Sequence, residues 1–332
     1  MFNRKHLCQT MKLLKIQDLI SLLVFVNLTS GNVIANEKIY ITCQYFGELG
    51  NQMFEVANAV GYALDHQGEA VFENFNGAAG GELNYRYIFH RLTILPFQHN
   101  LVFENQYQLG GVTDYHPLTC EPNKNLRFVG HFVNEKYFVR HKEHIRQLFA
   151  PSEEILNLIL SKYHDLLRVP TVAVHVRTFI RDGQNPEKTG LGGLTWDYFK
   201  KAMDYFSDDY TFLIFSDDIA WTKIHFPMCR KNIKFIEGNP HYFDLYFMSL
   251  CHHQIIAPNS TFSWWAAWLN LKPDKIVIAP HVYYGNTEEY ALPPEWIRVY
   301  SEPFSLNLIH QALLRNQGIC MKNHLTPNIL SR

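Results

Sequence analysis

The chain is 332 residues long, 47% hydrophobic and 14% aromatic, with 18% charged residues and a formal net charge of −1. Such a length, about twice that of a ~150-residue domain, and such an apolar content exclude wholesale disorder and predict two domains or one large α/β unit. The balance of 30 Lys+Arg against 31 Asp+Glu excludes the broad basic footprint of a nucleic-acid binder but leaves room for a local basic pocket.

In chain order, Arg4, Lys5, Lys12 and Lys15 precede an apolar run over 19–28, and small residues follow near Val33 and Ala35. This pattern predicts a secretory signal peptide within residues 1–36, cleaved after Ala35. The run falls short of the ~20 apolar residues of a membrane span, and Asp18 and Asn27 limit it. Counted generously, 13–35 also serves as a short signal-anchor, and an apolar cytosolic leader is the bland alternative. The matching expectations are membrane association through the N-terminus and a place in the secretory pathway. That is the Golgi in a eukaryote, with periplasm or cytoplasm as the bacterial alternatives.

A strand is predicted over 39–44, turns at Gly47 and Gly50, and a helix over 51–66 with apolar residues at 53, 54, 57, 60, 61 and 64. A short strand follows at 71–75, and 77–111 lacks strong periodicity. Helices are expected over 135–149 and 153–167, the second starting after Pro151. Beyond Pro170, strands at 171–177, 211–215, 233–236, 254–257 and 275–279 alternate with helices at 196–206, 219–225, 242–252 and 261–271. Short apolar strands separated by amphipathic helices predict a doubly wound, buried parallel sheet. Two α/β halves, 37–165 and 166–303, facing a cleft suit a nucleotide held beside a second substrate, with a helix and tail over 304–332.

Cys8, Cys43, Cys120, Cys229, Cys251 and Cys320 include no CxxC, which argues against a structural zinc site and leaves room for one or two disulfides in an oxidising compartment. No HExxH occurs among the 17 histidines, and adjacent His252 and His253 diverge on a helix, so no metal is expected. The 18 Tyr, 24 Phe and 6 Trp fit an aromatic core as well as sugar-stacking surfaces.

Four segments lie where strands give way to helices, the edge at which open parallel sheets bind ligands. In Gly47-Glu48-Leu49-Gly50-Asn51-Gln52, glycine permits close backbone approach, and two amides suit hydroxyl-rich ligands, although a plain strand–helix turn reads the same way. His175 and Arg177 alternate on one strand face, where a guanidinium clamps phosphate or merely decorates the surface. Asp217 and Asp218 suit Mg²⁺, a base or a helix cap, and their adjacency departs from the DxD of metal-dependent glycosyltransferases, favouring capping and hydrogen bonds to hydroxyls or guanine. Asn259-Ser260-Thr261 opens a helix whose start suits a phosphate; as a glycosylation acceptor the triplet is discounted at a buried junction. Trp265 and Trp268 read best as core.

Together, Gly47–Phe54, His175–Asp182, Phe215–Asp218 and Met248–Leu269, with Gly130-His131-Phe132 and Glu135-Lys136-Tyr137-Phe138 between them, resemble the ordered motifs of glycosyltransferase family 11, the α-1,2-fucosyltransferases. The resemblance covers about 39–300. It implies a GT-B-like fold and an inverting, metal-independent transfer of L-fucose from GDP-β-L-fucose to the 2-hydroxyl of a terminal galactose on a glycan. It makes 37–165 the acceptor side and 166–303 the nucleotide-sugar side. Donor binding is then expected from His175, Arg177, Asp217, Asp218, Asn259, Ser260, Thr261 and Phe262, with Gly50, Asn51 and Gln52 at the cleft. Arg177 is expected to stabilise the departing GDP, and Asp182 or Glu187 to act as base. The family's second arginine is Thr178 here, so either Arg181 returns a charge to the cleft through an altered loop, or donor affinity or acceptor choice differs or activity is low. A transferase with another donor or acceptor, and a non-catalytic glycan binder, are the alternatives.

Overall fold

The computed structural model describes residues 38–307 apart from 97, 114, 119–123 and 285–291. The expected signal or anchor segment and residues 308–332 lie outside the described residues.

Among the described residues, ten strands form two sheets. β1 (Tyr40–Cys43), β2 (Glu69–Ala70), β3 (Asn105–Gln108) and β4 (Leu126–Val129) pair in the order β2-β1-β4-β3. β5 (Thr171–Val176), β6 (Thr211–Ser216), β7 (Ile233–Phe235), β8 (His253–Ile255), β9 (Val277–Pro280) and β10 (Ile297–Val299) pair in the order β10-β9-β8-β5-β6-β7. Every pairing is parallel. The connecting helices are α1 (Leu49–Asp65), α2 (Gly81–Tyr87), α3 (Lys142–Leu148), α4 (Glu153–Leu167), α5 (Pro186–Thr189), α6 (Trp196–Met203), α7 (Ile219–His225), α8 (His241–Leu250) and α9 (Thr261–Leu269). The α/β class and the doubly wound parallel sheet therefore stand as expected, as two Rossmann-like halves of GT-B-like form.

Local chemistry accounts for the helix starts. Ser152, Thr195, Asp218 and Ser260 each cap a helix through a side-chain oxygen, satisfying a backbone N–H that the first turn leaves open. The helix expected over 135–149 is instead two 3-10 turns followed by α3. Asn134 caps the first turn, and Phe138 leaves helical geometry while its ring packs with Phe54, Trp265 and Trp268. Burial of that ring outweighs the helical periodicity. The strand expected at 71–75 pairs two residues earlier, and Phe72 makes only an isolated bridge to Ile94.

Alternation along the central strands builds two cores. Val172, Val174, Val176, Phe212 and Ile214 face one apolar cluster under α6. The opposite-parity residues Ala173, Leu213 and Phe215 join a second cluster that continues through Trp264, Trp265 and Trp268 of α9 into Phe54, Val56 and Ile41 of the first half. His175 and Arg177 share the parity of Ala173, so the period of two turns them toward the first half. Among the described residues Cys43, Cys229 and Cys251 are free thiols, and no described helix is long and apolar enough to cross a membrane.

Candidate active site

Each sheet reverses its winding once. After β1 the chain adds β2 on one side and β4 on the other; after β5 it adds β6 and β7 on one side and β8 on the other. The crevice at such a reversal, at the carboxyl ends of the strands, is where open α/β sheets take ligands. Loops from both reversals line one cavity of about 480 Å³: Gly47 to Asn51 after β1, His175 and Arg177 at the end of β5, and Asn259 to Phe262 after β8.

Arg177 is held on three sides. Its Nη1 donates to Asp217 Oδ2 at 3.1 Å, its Nη2 donates to Asp182 Oδ2 at 2.6 Å, and its guanidinium lies over the Phe179 ring at 5.0 Å. Asp217 also accepts from the Thr178 backbone N–H at 2.6 Å, the Thr178 hydroxyl at 3.0 Å and the Phe179 N–H at 3.2 Å. That buried carboxylate therefore fixes the loop after β5 and orients the arginine. Thr178 is fully buried in this arrangement and points away from the cavity, whereas Arg181 lines it.

Two helix starts meet beside the guanidinium. Trp265 Nε1 donates to the Gly50 carbonyl at 3.0 Å, and the Thr261 hydroxyl donates to Asn51 Oδ1 at 2.8 Å, tying the first turn of α9 to that of α1. A Cβ on Gly50 would lie 2.5 Å from Thr261 Oγ1 and 2.6 Å from the Phe262 nitrogen, so only glycine permits this approach. Each helix N-terminus carries a partial positive charge of ~0.5, and the two with Arg177 and Arg181 give one part of the lining groups that suit an anion, set against the carboxylates of Glu48, Asp182, Asp217 and Asp244 in the same cavity. Ser260, the cap of α9, lies 3.3 Å from His175 Nδ1. Burial, and secondarily the Arg177 charge, push the His175 pKa down to about 3, so its imidazole is neutral at physiological pH.

Opposite lies a polar wall that the motif reading did not assign. Asn239 Nδ2 donates to Asp244 Oδ1 at 2.8 Å, and His241 Nε2 lies 2.6 Å from Asn84 Oδ1; Asn239, His241 and Asp244 all line the cavity. Burial raises the Asp244 pKa to about 7, offset in part by Asn239 and Lys162, and burial likewise lowers that of His241. One acidic residue in the first turn of an otherwise apolar helix was the available signal.

Three expected site residues stand elsewhere. Gln52 is fully buried: its Nε2 donates to the carbonyls of Gly47 and Ala79, and its Oε1 accepts from Asn84, so it braces the loop instead of facing the cleft. Asp218 spends a carboxylate oxygen on the Trp221 N–H as the cap of α7, which is the capping reading. Glu187 sits on α5, outside the cavity lining, 3.5 Å from His225. Asn259 lines the cavity with φ +53, its amide donating to Gly192 O and accepting from Tyr284 N. Trp264, Trp265 and Trp268 are all core.

Two Rossmann-like halves that share one polar cleft have the GT-B-like form. The chain belongs to Glycosyl transferase family 11, whose family model matches residues 13–300. An Alpha-1,2-colitosyltransferase of Escherichia coli is 34% identical over 53% of this chain and 63% of its own length, so the match spans less than two thirds of that relative. A Galactoside 2-alpha-L-fucosyltransferase of Caenorhabditis elegans is 27% identical over 77% of this chain and 78% of its own. The solved structure of Arabidopsis thaliana FUT1 in complex with GDP covers 77% of this chain and 75% of its own, at a TM-score of 0.47 and 13% identity.

Proposed function

We propose that the chain is an inverting glycosyltransferase moving L-fucose from GDP-β-L-fucose to the 2-hydroxyl of a terminal galactose on a glycan. The observation that carries this reading is the convergence of Arg177 with the starts of α1 and α9 on one cavity. A diphosphate there meets a guanidinium and backbone N–H groups, which stabilise the charge that develops as the nucleotide leaves. Thr261 and Phe262 supply the helix start, and Ser260 with neutral His175 holds its geometry. Across the cavity, the Asp244 carboxylate suits the adjacent N–H donors of a guanine edge. Gly50 and Asn51 stand on the acceptor side. Of the two carboxylates expected as base, only Asp182 lines the cavity. No metal has a part in the reading: the Asp217 oxygens are occupied by protein donors, and Asp218 caps a helix.

The test is release of GDP from GDP-fucose with lactose as acceptor, followed by linkage analysis, with GDP-mannose and UDP-galactose as competing donors. Arg177→Ala, checked for normal melting, is expected to lose turnover; undiminished turnover sinks the phosphate role. A second reading replaces fucose by colitose, favoured by the similarity to the colitosyltransferase. Turnover of GDP-colitose in preference to GDP-fucose would establish it.

A further inference from the structure

Two carboxylates hold Arg177, and they differ in kind. Asp217 is 6% exposed and also anchors the Thr178 and Phe179 backbone, so it is a permanent part of the site. Asp182 is 42% exposed, and among the described residues its carboxylate bonds nothing but Arg177. It occupies a guanidinium edge on the wall of a cavity suited to anions, as a competing anion does. One residue earlier, Arg181 lines the same cavity and makes no ion pair among the described residues.

The segment carrying both is a single 3-10 turn, Ile180–Asp182, bracketed by left-handed residues: Phe179 with φ +59 and Gly183 with φ +78. A left-handed aromatic residue is strained, at a cost of about 1–3 kcal/mol, and such strain persists only where surrounding contacts hold it. Here the Phe179 N–H on Asp217 and the Arg177–Phe179 stack fix the near end. The far end has room, since a Cβ on Gly183 would meet nothing within 4 Å, and the Gln184 N–H bond to the Phe179 carbonyl at 3.1 Å closes the turn and opens when it swings.

We propose that Asp182 and Arg181 form an exchange pair for the diphosphate of a nucleotide ligand. In the free protein Asp182 occupies the edge of Arg177. An arriving diphosphate, with more charge and a bidentate fit to the same edge, displaces it. Rotation of the turn about Phe179 and Gly183 carries the carboxylate out and brings Arg181 onto the phosphates. The Phe179 stack and Asp217 keep the Arg177 plane in place throughout. As the nucleotide leaves, Asp182 competes for the vacated edge of Arg177 and re-forms its ion pair, which speeds release. The second positive charge of the site thus comes from a residue four positions after Arg177, while Thr178 anchors the loop.

This inference rests on the reading of the cleft as a nucleoside diphosphate site. Its test is calorimetric titration of GDP and of guanosine into the intact chain and its variants, with melting curves as a folding control. Arg181→Ala is expected to weaken GDP on the order of tenfold and leave guanosine unchanged, and Arg181→Lys to restore most of the loss. Asp182→Asn is expected to tighten GDP severalfold and slow its dissociation. Unchanged GDP affinity in Arg181→Ala overturns the exchange, as does weaker GDP binding in Asp182→Asn. Loss of transfer at wild-type GDP affinity in Asp182→Asn overturns it too, by making Asp182 the base. Failure of the wild-type chain to bind GDP refutes the nucleotide reading itself and the exchange with it. Wild-type binding with unresponsive variants refutes the exchange alone.

Discussion

Replacing Gly50 by alanine tests the junction on which the cleft depends. The added Cβ would lie 2.5 Å from Thr261 Oγ1 and 2.6 Å from both Thr261 C and Phe262 N, where ordinary contact begins at 3.4 Å. Two of those three atoms are backbone, so no rotamer change relieves the clash; the first turns of α1 and α9 must part by about 1 Å. The Thr261–Asn51 and Trp265–Gly50 hydrogen bonds stretch with them. Overpacking of this kind costs about 2 kcal/mol, roughly 3 °C of melting temperature for a chain this size. Parting the two helix starts also spreads the donors that face an anion, so GDP affinity is expected to drop on the order of tenfold. Gly77→Ala is the internal control, because a Cβ there meets nothing within 4 Å. Differential scanning fluorimetry with and without GDP reads both effects. If Gly50→Ala melts and binds GDP as Gly77→Ala does, the close approach carries no weight and the reasoning fails.

Three further outcomes follow from the charges. Because Asp244 titrates near pH 7, GDP affinity is expected to rise between about pH 6 and pH 8 as the carboxylate forms, and Asp244→Asn should flatten that dependence. Glu55, fully buried on α1 beside His131 and the Phe46 N–H, has its pKa raised to about 7 by burial. The folded state therefore binds its proton more tightly than the unfolded chain, so stability falls as pH rises from about 4.5 through 7. Glu55→Gln should stabilise the protein at pH 8 by on the order of 1–3 kcal/mol and not at pH 5, measured by urea unfolding. EDTA should leave transfer unchanged, since Asp217 is filled by protein donors; a loss restored by Mn²⁺ would contradict that assignment.

The second sheet was readable because a strand buried on both faces must be largely apolar, as Val172 to Val174 and Phe212 to Phe215 are. The cap at Asp218 followed from residue type alone, because a short side-chain oxygen satisfies an N–H three positions on. β3 and β4 were not readable: Asn105–Gln108 is polar at every position but Tyr107, Leu126–Val129 is only four residues long and interrupted by Arg127, and only tertiary pairing makes them strands. In the site, parity placed His175 and Arg177 together, while the inward turn of Gln52 depends on Asn84, thirty-two residues away in sequence. The cavity wall of Asn239, His241 and Asp244 arises from how α8 meets α2, and its one local trace is the acidic residue in the first turn of α8.

The apolar cluster that runs without a break from Ile41 through Phe54 and the α9 tryptophans to Phe215 has a consequence for how the protein comes apart. Neither half owns a complete interior on the side it turns to the other. Calorimetry should therefore record one cooperative endotherm, and an isolated fragment ending near residue 165 should remain unfolded, so the two halves are not separable building blocks for chimaeras.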